Sequence, residues 1–219
     1  MNNIKHAIII TAGLGSRLGF NIPKSLVKVG NKKIIDYHLE LLKDVPDVRI
    51  VVGYKEEKVK KHVKKIRENV TFITNQDYAN TSNAYSVSLA AENIKEPYLL
   101  VIGDIIFNKN DFKKFVDNCD SESIVGLTIS KSEDAVFTDV DEDSMTIKKF
   151  QRNSKLDYET AGIFYFNGIP ITKEDGYVFE ALKKYLPIKY MVVRSYEVDT
   201  PVDLELVINN LHELELEDY

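Results

Sequence analysis

The chain has 219 residues, 44% hydrophobic and 29% charged. That is close to ordinary globular usage, enough for a sizeable core, and the length fits one domain and excludes a tandem array. Its 29 Lys and Arg against 34 Asp and Glu give a net charge of −5, which argues against a nucleic-acid partner and requires any phosphate site to be local.

The chain opens with a short apolar run, Ala7 to Ile10, too brief for a signal segment or a membrane span of about 20 residues. It reads as a strand, and no membrane insertion is expected. Comparable runs at 49–54, 70–74 and 98–104 alternate with amphipathic segments at 33–42, 56–67, 81–91 and 110–118 that read as helices. This alternation predicts an α/β protein whose parallel sheet is covered on both faces. His38 shares a helical stripe with Ile34, Ile35, Leu39 and Leu42, and His62 shares one with Val59, Val63 and Ile66. Both histidines therefore read as helix-face residues at the core edge, and the lysine-rich stretch 55–65 as a solvated face.

From residue 120 the pattern turns β-rich, with a strand at 123–130, a hairpin around the acidic turn 141–144 and a strand at 158–167. A helix at 173–185, a strand at 191–197 and a helix at 201–214 complete the chain. Thr200, Pro201 and Asp203 give the last helix a strong start signal. The single cysteine, Cys119, cannot form an internal disulfide, and no Cys/His cluster has structural-zinc spacing. A cytoplasmic setting is expected.

Directly after the first strand stand Ala12-Gly13-Leu14-Gly15-Ser16-Arg17-Leu18 and then Pro23-Lys24-Ser25-Leu26. In an open parallel sheet, ligands bind at the carboxyl ends of the strands. Glycines there let backbone N–H groups wrap phosphate oxygens, and Arg17 and Lys24 add positive charge. Gly13, Gly15 and Gly19 miss the dinucleotide-binding spacing, and no P-loop lysine follows. A plain glycine turn is the competing reading, which the fixed Arg-Leu and Pro-Lys-x-Leu additions disfavour. Asp104 and Asp199 each follow an apolar strand near its carboxyl end. Two carboxylates plus phosphate oxygens suit Mg²⁺. As alternatives, Asp199 is a helix-start carboxylate and Asp104 part of a turn.

The fingerprint resembles that of the nucleotidyltransferase superfamily, A-G-x-G-x-R-(L/M) followed by P-K-x-L. The four residues between Leu18 and Pro23 resemble the short spacing of cytidylyltransferases acting on polyol or inositol phosphates, and with the landmarks that follow the chain is most similar to choline-phosphate and inositol-1-phosphate cytidylyltransferases. Val52-Gly53-Tyr54, Asn75 with Tyr78, Thr81-Ser82-Asn83-Ala84-Tyr85-Ser86, Gly103-Asp104, Thr160-Ala161-Gly162 and Glu197-Val198-Asp199-Thr200 extend the resemblance over nearly the whole chain. It implies a single three-layer α/β/α domain over 1–219, with a mixed, mainly parallel sheet and a β-hairpin elaboration on the acceptor side at roughly 120–170. It also implies Mg²⁺-dependent transfer of CMP from CTP to a small phosphorylated alcohol, such as choline, inositol or glycerol phosphate, with release of pyrophosphate.

Residue by residue, the resemblance implies that Lys24 and Arg17 are catalytic and that Asp104 and Asp199 hold the metal. It gives the nucleotide to Ala12, Gly13, Leu14, Gly15, Ser16, Gly53, Tyr54, Thr81, Ser82 and Asn83, and the acceptor to Tyr85, Arg152, Tyr158, Gly162 and Tyr190. Asn83 equally reads as part of a helix start capped by Thr81 or Ser82. Tyr85, Tyr158 and Tyr190 are the rings available for the aromatic cage that choline requires. Phe150-Gln151-Arg152 stands where sugar nucleotidyltransferases carry Phe-x-Glu-Lys, and the missing glutamate weakens a sugar acceptor. Arg152 either replaces that lysine or is an exposed hairpin end. A sugar-1-phosphate nucleotidyltransferase using UTP, GTP or dTTP, and a non-catalytic nucleotide-binding module, are the alternatives. A homodimer is allowed.

Overall fold

The computed structural model describes residues 4–216. β1 (His6–Ile10) leads into two 3-10 turns, Ser16–Leu18 and Lys24–Leu26, and a short antiparallel pair, β2 (Lys28–Val29) and β3 (Lys32–Lys33). There follow α1 (Ile34–Leu41), β4 (Asp47–Val52), α2 (Glu56–Val63), β5 (Thr71–Thr74), α3 (Asn83–Ala91), β6 (Tyr98–Ile102), β7 (Ile105–Phe107) and α4 (Lys109–Asp117). The second half holds β8 (Ile124–Ile129), β9 (Phe137–Asp141), β10 (Thr146–Gln151), β11 (Tyr158–Phe166), α5 (Val178–Leu182), β12 (Ile188–Val192), β13 (Ser195–Glu197) and α6 (Pro201–Asn209).

Nine strands form one sheet in the order β5-β4-β1-β6-β11-β8-β12-β10-β9. β5, β4, β1 and β6 are parallel, as are β8 and β12, and only β10 and β11 run against the other seven. The mixed, mainly parallel α/β sheet is thus as expected. The reason is visible along β1, where the two-residue period of a strand sends neighbours to opposite faces. Ala7 and Ile9 pack with Ile35, Leu39, Val59, Val63 and Phe115, whereas Ile8 and Ile10 pack with Ala84, Val87, Phe164 and Phe179. An apolar run is needed because both faces are covered by helices. A third cluster joins Leu18, Val27 and Val29 of the fingerprint region to Tyr196, Val198 and Val207, so the first loop and the last helix share a core.

Several elements depart from expectation. The run 98–104 leaves the main sheet after Ile102, and β7 pairs instead with β13. The break comes at Gly103, where a Cβ would lie 2.4 Å from the Ile10 carbonyl oxygen. The expected strand 191–197 is likewise two strands, β12 in the main sheet and β13 in the small ribbon. The helix expected at 173–185 shortens to α5 and a 3-10 turn, because Asp175 accepts from the Thr172 N–H at 2.7 Å and closes a loop first. α2 stops at Val63, and the Arg67 guanidinium turns back onto the Leu42 and Val45 carbonyls. α6 ends at Asn209, before a separate 3-10 turn. Its start is as expected, with Thr200 and Asp203 forming a reciprocal capping box and Pro201 in the first turn. His38 is buried in the core and His62 lies on the helix face between Asp36 and Lys33. Among the described residues no helix is long and apolar enough to cross a membrane.

Candidate active site

The β7–β13 ribbon brings the two carboxylates together. The Val198 N–H donates to the Asp104 carbonyl at 2.8 Å, so Asp104 stands at the mouth of one strand beside Asp199 just beyond the other. The fingerprint loop is pinned nearby by Thr11, whose N–H and hydroxyl both donate to the Val51 carbonyl, at 2.8 and 2.7 Å. Gly15 has a φ of +63°, and a Cβ there would lie 2.8 Å from Lys24 Cγ, so glycine leaves room for the lysine stem.

That stem carries the Lys24 ammonium to Asp104 Oδ2 at 2.7 Å, and the same ammonium also donates to Asp199. Arg17 pairs with the other Asp199 oxygen at 2.5 Å and with Asp134 at 3.6 Å. Burial disfavours the Lys24 charge, but Asp104 and Asp199 outweigh it, and its pKa lies above the ordinary lysine value. Desolvation, reinforced by the neighbouring Asp104 and Asp199, holds the Glu197 pKa above the ordinary carboxylate range. Asp104 Oδ1 is buried without a hydrogen-bond partner. An orphaned carboxylate oxygen beside a second carboxylate already neutralised by a cation fits a hard divalent ion. Among the described residues no cluster of three or more His, Cys, Asp or Glu forms a metal cage. The residues that could hold an ion are Asp104 and Asp199, with further ligands then needed from outside the protein.

Two adjoining clefts meet here. One, of about 320 Å³, is lined by Ala12, Gly13 and Gly15 of the loop and by Thr81, Ser82 and Asn83 at the start of α3. The other, of about 380 Å³, is lined by Lys131, Asp134, Glu159, Gly162 and Tyr196. Arg17, Asn83, Arg152 and Glu197 border both. The Arg152 guanidinium lies 4.9 Å over the Tyr177 ring and 5.4 Å from Phe179, so it is anchored at the junction rather than left as a free hairpin end.

Not every expected residue reaches a cleft. Leu14 is exposed, and neither it nor Ser16 lines the nucleotide-side wall. Gly53 and Tyr54 also lie outside it. The Tyr54 N–H donates to the Ala12 carbonyl at 3.0 Å and its hydroxyl donates to Asn21 at 2.7 Å, so Tyr54 braces the loop from behind. Asn83 Oδ1 accepts from the Val178 N–H at 3.0 Å, tying α3 to α5, while neither Thr81 nor Ser82 caps the helix through its side chain. Tyr85, Tyr158 and Tyr190 line neither cleft. Tyr158 packs on Tyr190 at 6.1 Å, and Tyr85 lies apart beside Lys173. Tyr158 borders a separate surface hollow with Ile129, Lys155 and Asp157, whereas Glu159 and Thr160, next along β11, line the larger cleft.

Glu197, Lys131 and Glu159 were given no role by the sequence. For Glu197 a signal existed, because a Glu-x-Asp pair at a strand end puts both carboxylates on one face. For Lys131, in the loop after β8, nothing marked it.

Residues 7–142 match the family model of the MobA-like NTP transferase domain. The choline-phosphate cytidylyltransferase of Streptococcus pneumoniae is 38% identical over 112 residues, 49% of this chain and 48% of that protein. In this match the chain spans about half the length of that curated relative. The solved structure of a CTP:phosphocholine cytidylyltransferase from Streptococcus pneumoniae shares the fold with a TM-score of 0.77 and 25% identity, over 95% of this chain and 100% of that one. The inositol-1-phosphate CTP transferase from T. maritima has a TM-score of 0.78 over 99% of this chain and 98% of that one, with 19% identity, a likeness of fold.

Proposed function

The chain belongs to the MobA-like NTP transferase domain family, and from that premise we propose that it is a cytidylyltransferase, moving CMP from CTP to a small phosphorylated alcohol and releasing pyrophosphate. The observation that carries this reading is the Lys24 ammonium seated between Asp104 and Asp199, where the two clefts meet. One cleft then takes the nucleotide against the glycine loop, and the other takes the acceptor. The relatives' names supply the preference for CTP.

In the reaction, an acceptor phosphate oxygen forms a bond to the α-phosphorus of CTP, and the bond from that phosphorus to the α,β-bridging oxygen breaks. Pyrophosphate leaves with that electron pair. An acceptor phosphate is already anionic near pH 7, so no strong general base is needed, and positioning with charge neutralisation supplies the rate. The Gly13 and Gly15 backbone and Arg17 hold the triphosphate, Lys24 neutralises charge that develops at the α-phosphate, and Arg152 orients the acceptor phosphate at the junction. A divalent ion such as Mg²⁺, held by Asp104 and Asp199, would supply further charge neutralisation on the phosphates.

Residues at roughly 120–170 act as the acceptor-side elaboration, with the loop after β8 forming one wall of the larger cleft. Gln151 donates to Ser154 at 3.0 and 2.6 Å, closing the hairpin end, which disfavours a sugar held by that segment. A cytoplasmic setting is part of this reading, supported by Cys119, a free and buried cysteine whose thiol burial pushes up to about 12.

The test is a pyrophosphate-release assay of four nucleoside triphosphates against phospho-alcohols and sugar 1-phosphates, with and without Mg²⁺. CTP with a phospho-alcohol is expected to exceed every other pair at least tenfold. Silence with all pairs, or preference for a sugar phosphate with UTP, GTP or dTTP, overturns the reading.

A further inference from the structure

The acceptor cleft has a composition that selects among phospho-alcohols. Its aromatic rings are already engaged. The Tyr196 ring carries the Lys131 ammonium at 4.7 Å, and Phe179 carries Lys183 at 4.9 Å and Arg152 at 5.4 Å. Phe164 is stacked on Phe166 with ring centroids 5.9 Å apart. A quaternary ammonium is recognised by free aromatic faces around it, and here protein cations or other rings occupy those positions. The three tyrosines that might have supplied a separate cage lie elsewhere.

Lys131 adds a second obstacle. Its ammonium donates to Thr128 Oγ1 at 3.0 Å, to the Ser195 carbonyl at 3.1 Å and to the Ile129 carbonyl at 3.4 Å, with Glu159 and Glu213 as its neighbouring carboxylates. Burial draws its pKa below the ordinary lysine value, against partial opposition from the Glu159 and Glu213 charges, so it stands on the acceptor wall as a cation seated over the Tyr196 ring. While Lys131 covers it, that face of the Tyr196 ring is closed to a cationic headgroup.

What the wall does offer is hydrogen-bonding chemistry matched to hydroxyls. Glu159, half-buried, accepts from the Ser132 N–H at 3.3 Å and from the Lys131 backbone N–H, and its remaining lone pairs leave acceptor capacity for a hydroxyl donor. Thr128, Ser132 and Thr160 bring hydroxyl groups that both donate and accept, and Lys131 supplies N–H donors close by. A neutral alcohol can satisfy this mixture of donors and acceptors, because each of its hydroxyls does both.

We propose that the acceptor is a phosphorylated polyol bearing free hydroxyls, rather than a phosphorylated quaternary amine, and that Lys131 is the specificity-determining residue of the cleft. This rests on the cytidylyltransferase reading above.

The experiment measures initial rates of pyrophosphate release with CTP and Mg²⁺ for the full chain and for Lys131→Met and Lys131→Arg. Glycerol 3-phosphate, inositol 1-phosphate and choline phosphate serve as acceptors. In the wild type, kcat/KM for at least one polyol phosphate should exceed that for choline phosphate tenfold or more. Lys131→Met should narrow that ratio at least fivefold, through a higher KM for the polyol and a lower KM for choline phosphate, with kcat changed less. Lys131→Arg should retain the preference, and equal thermal midpoints show that the variants are folded. A wild type that prefers choline phosphate, or a folded Lys131→Met with an unchanged ratio, overturns the proposal while leaving the cytidylyltransferase reading intact. Absence of turnover with every acceptor overturns that reading and this one together.

Discussion

The Lys24 ammonium lies 2.7 Å from the Asp104 carboxylate, 80 residues further along the chain. This contact, shared with Asp199, holds a cation at the place where triphosphate charge would gather. Lys24→Ala should lower kcat roughly 100- to 1,000-fold, the usual cost of losing a preorganised charge at a developing anion. It should also leave Asp104 and Asp199 facing each other unopposed, so that Mn²⁺ binds the nucleotide-free protein about tenfold more tightly, given the typical strength of a charge-assisted hydrogen bond. Steady-state kinetics and Mn²⁺ titration by electron paramagnetic resonance read the two effects separately. Weaker Mn²⁺ binding in the variant would count against Lys24 as a stand-in for the metal.

Asp199 holds both Lys24 and Arg17, one on each oxygen. Asp199→Asn keeps the shape and removes the charge, so the variant should fold yet need a higher Mg²⁺ concentration for half-maximal rate, with kcat lowered roughly 100-fold. Rates across an Mg²⁺ series check this. An unchanged Mg²⁺ dependence would reduce Asp199 to its other role, a carboxylate at the start of α6.

Gly103 separates β6 from Asp104. A methyl group there would meet the Ile10 carbonyl at 2.4 Å and Thr11 Cγ2 at 2.7 Å, both on the segment that carries the fingerprint loop. Gly103→Ala should therefore destabilise the protein by about 1–3 kcal/mol and lower the thermal midpoint by roughly 2–10 °C for a chain of this size. Circular dichroism melting measures it. A wild-type melting curve would mean that β1 and β6 part more easily than their packing indicates.

Much of this was legible in the sequence because it depends on local pattern. The apolar runs give the buried strands, and Thr200-Pro201-x-Asp203 gives the start of α6, since capping chemistry lies within four residues. Lys24, Asp104 and Asp199 were individually visible as motif members. What brings them together was not, because the β7–β13 ribbon is set by pairing of segments some 90 residues apart, and a short strand leaving the main sheet at Gly103 has the same composition as one that stays. Tyr85, Tyr158 and Tyr190 failed as a group for a related reason. Side-chain direction in β11 follows from its register, which a list of available rings does not contain. Lys131 left no sequence signal at all, because a lysine in a polar loop looks solvated until the ring of Tyr196 is found beneath it.

The last prediction concerns His38, which lies under the site. Its Nε2–H donates to the Ile105 carbonyl at 2.6 Å, next in the chain to Asp104, and its Nδ1 is buried without a partner. Burial drives its pKa down to about 4, against partial opposition from the Ile105 carbonyl and the Asp104 charge. The folded state thus favours the neutral ring, whereas the unfolded chain binds a proton near the ordinary value of about 6.5. Stability from this residue is complete above about pH 6.5 and is lost as pH falls toward 4, by roughly 3 kcal/mol in total. Glu197 has its pKa raised, so it acts in the opposite direction, losing stability as pH rises above its unfolded value. Comparing wild type with His38→Gln cancels that contribution, because both proteins retain Glu197. Urea unfolding at pH 7, 6, 5 and 4 should show the wild type losing stability more steeply than His38→Gln, with the gap between them closing by roughly 3 kcal/mol across the window. Parallel stability curves would mean that the ring is already protonated, or freely hydrated, in the folded protein.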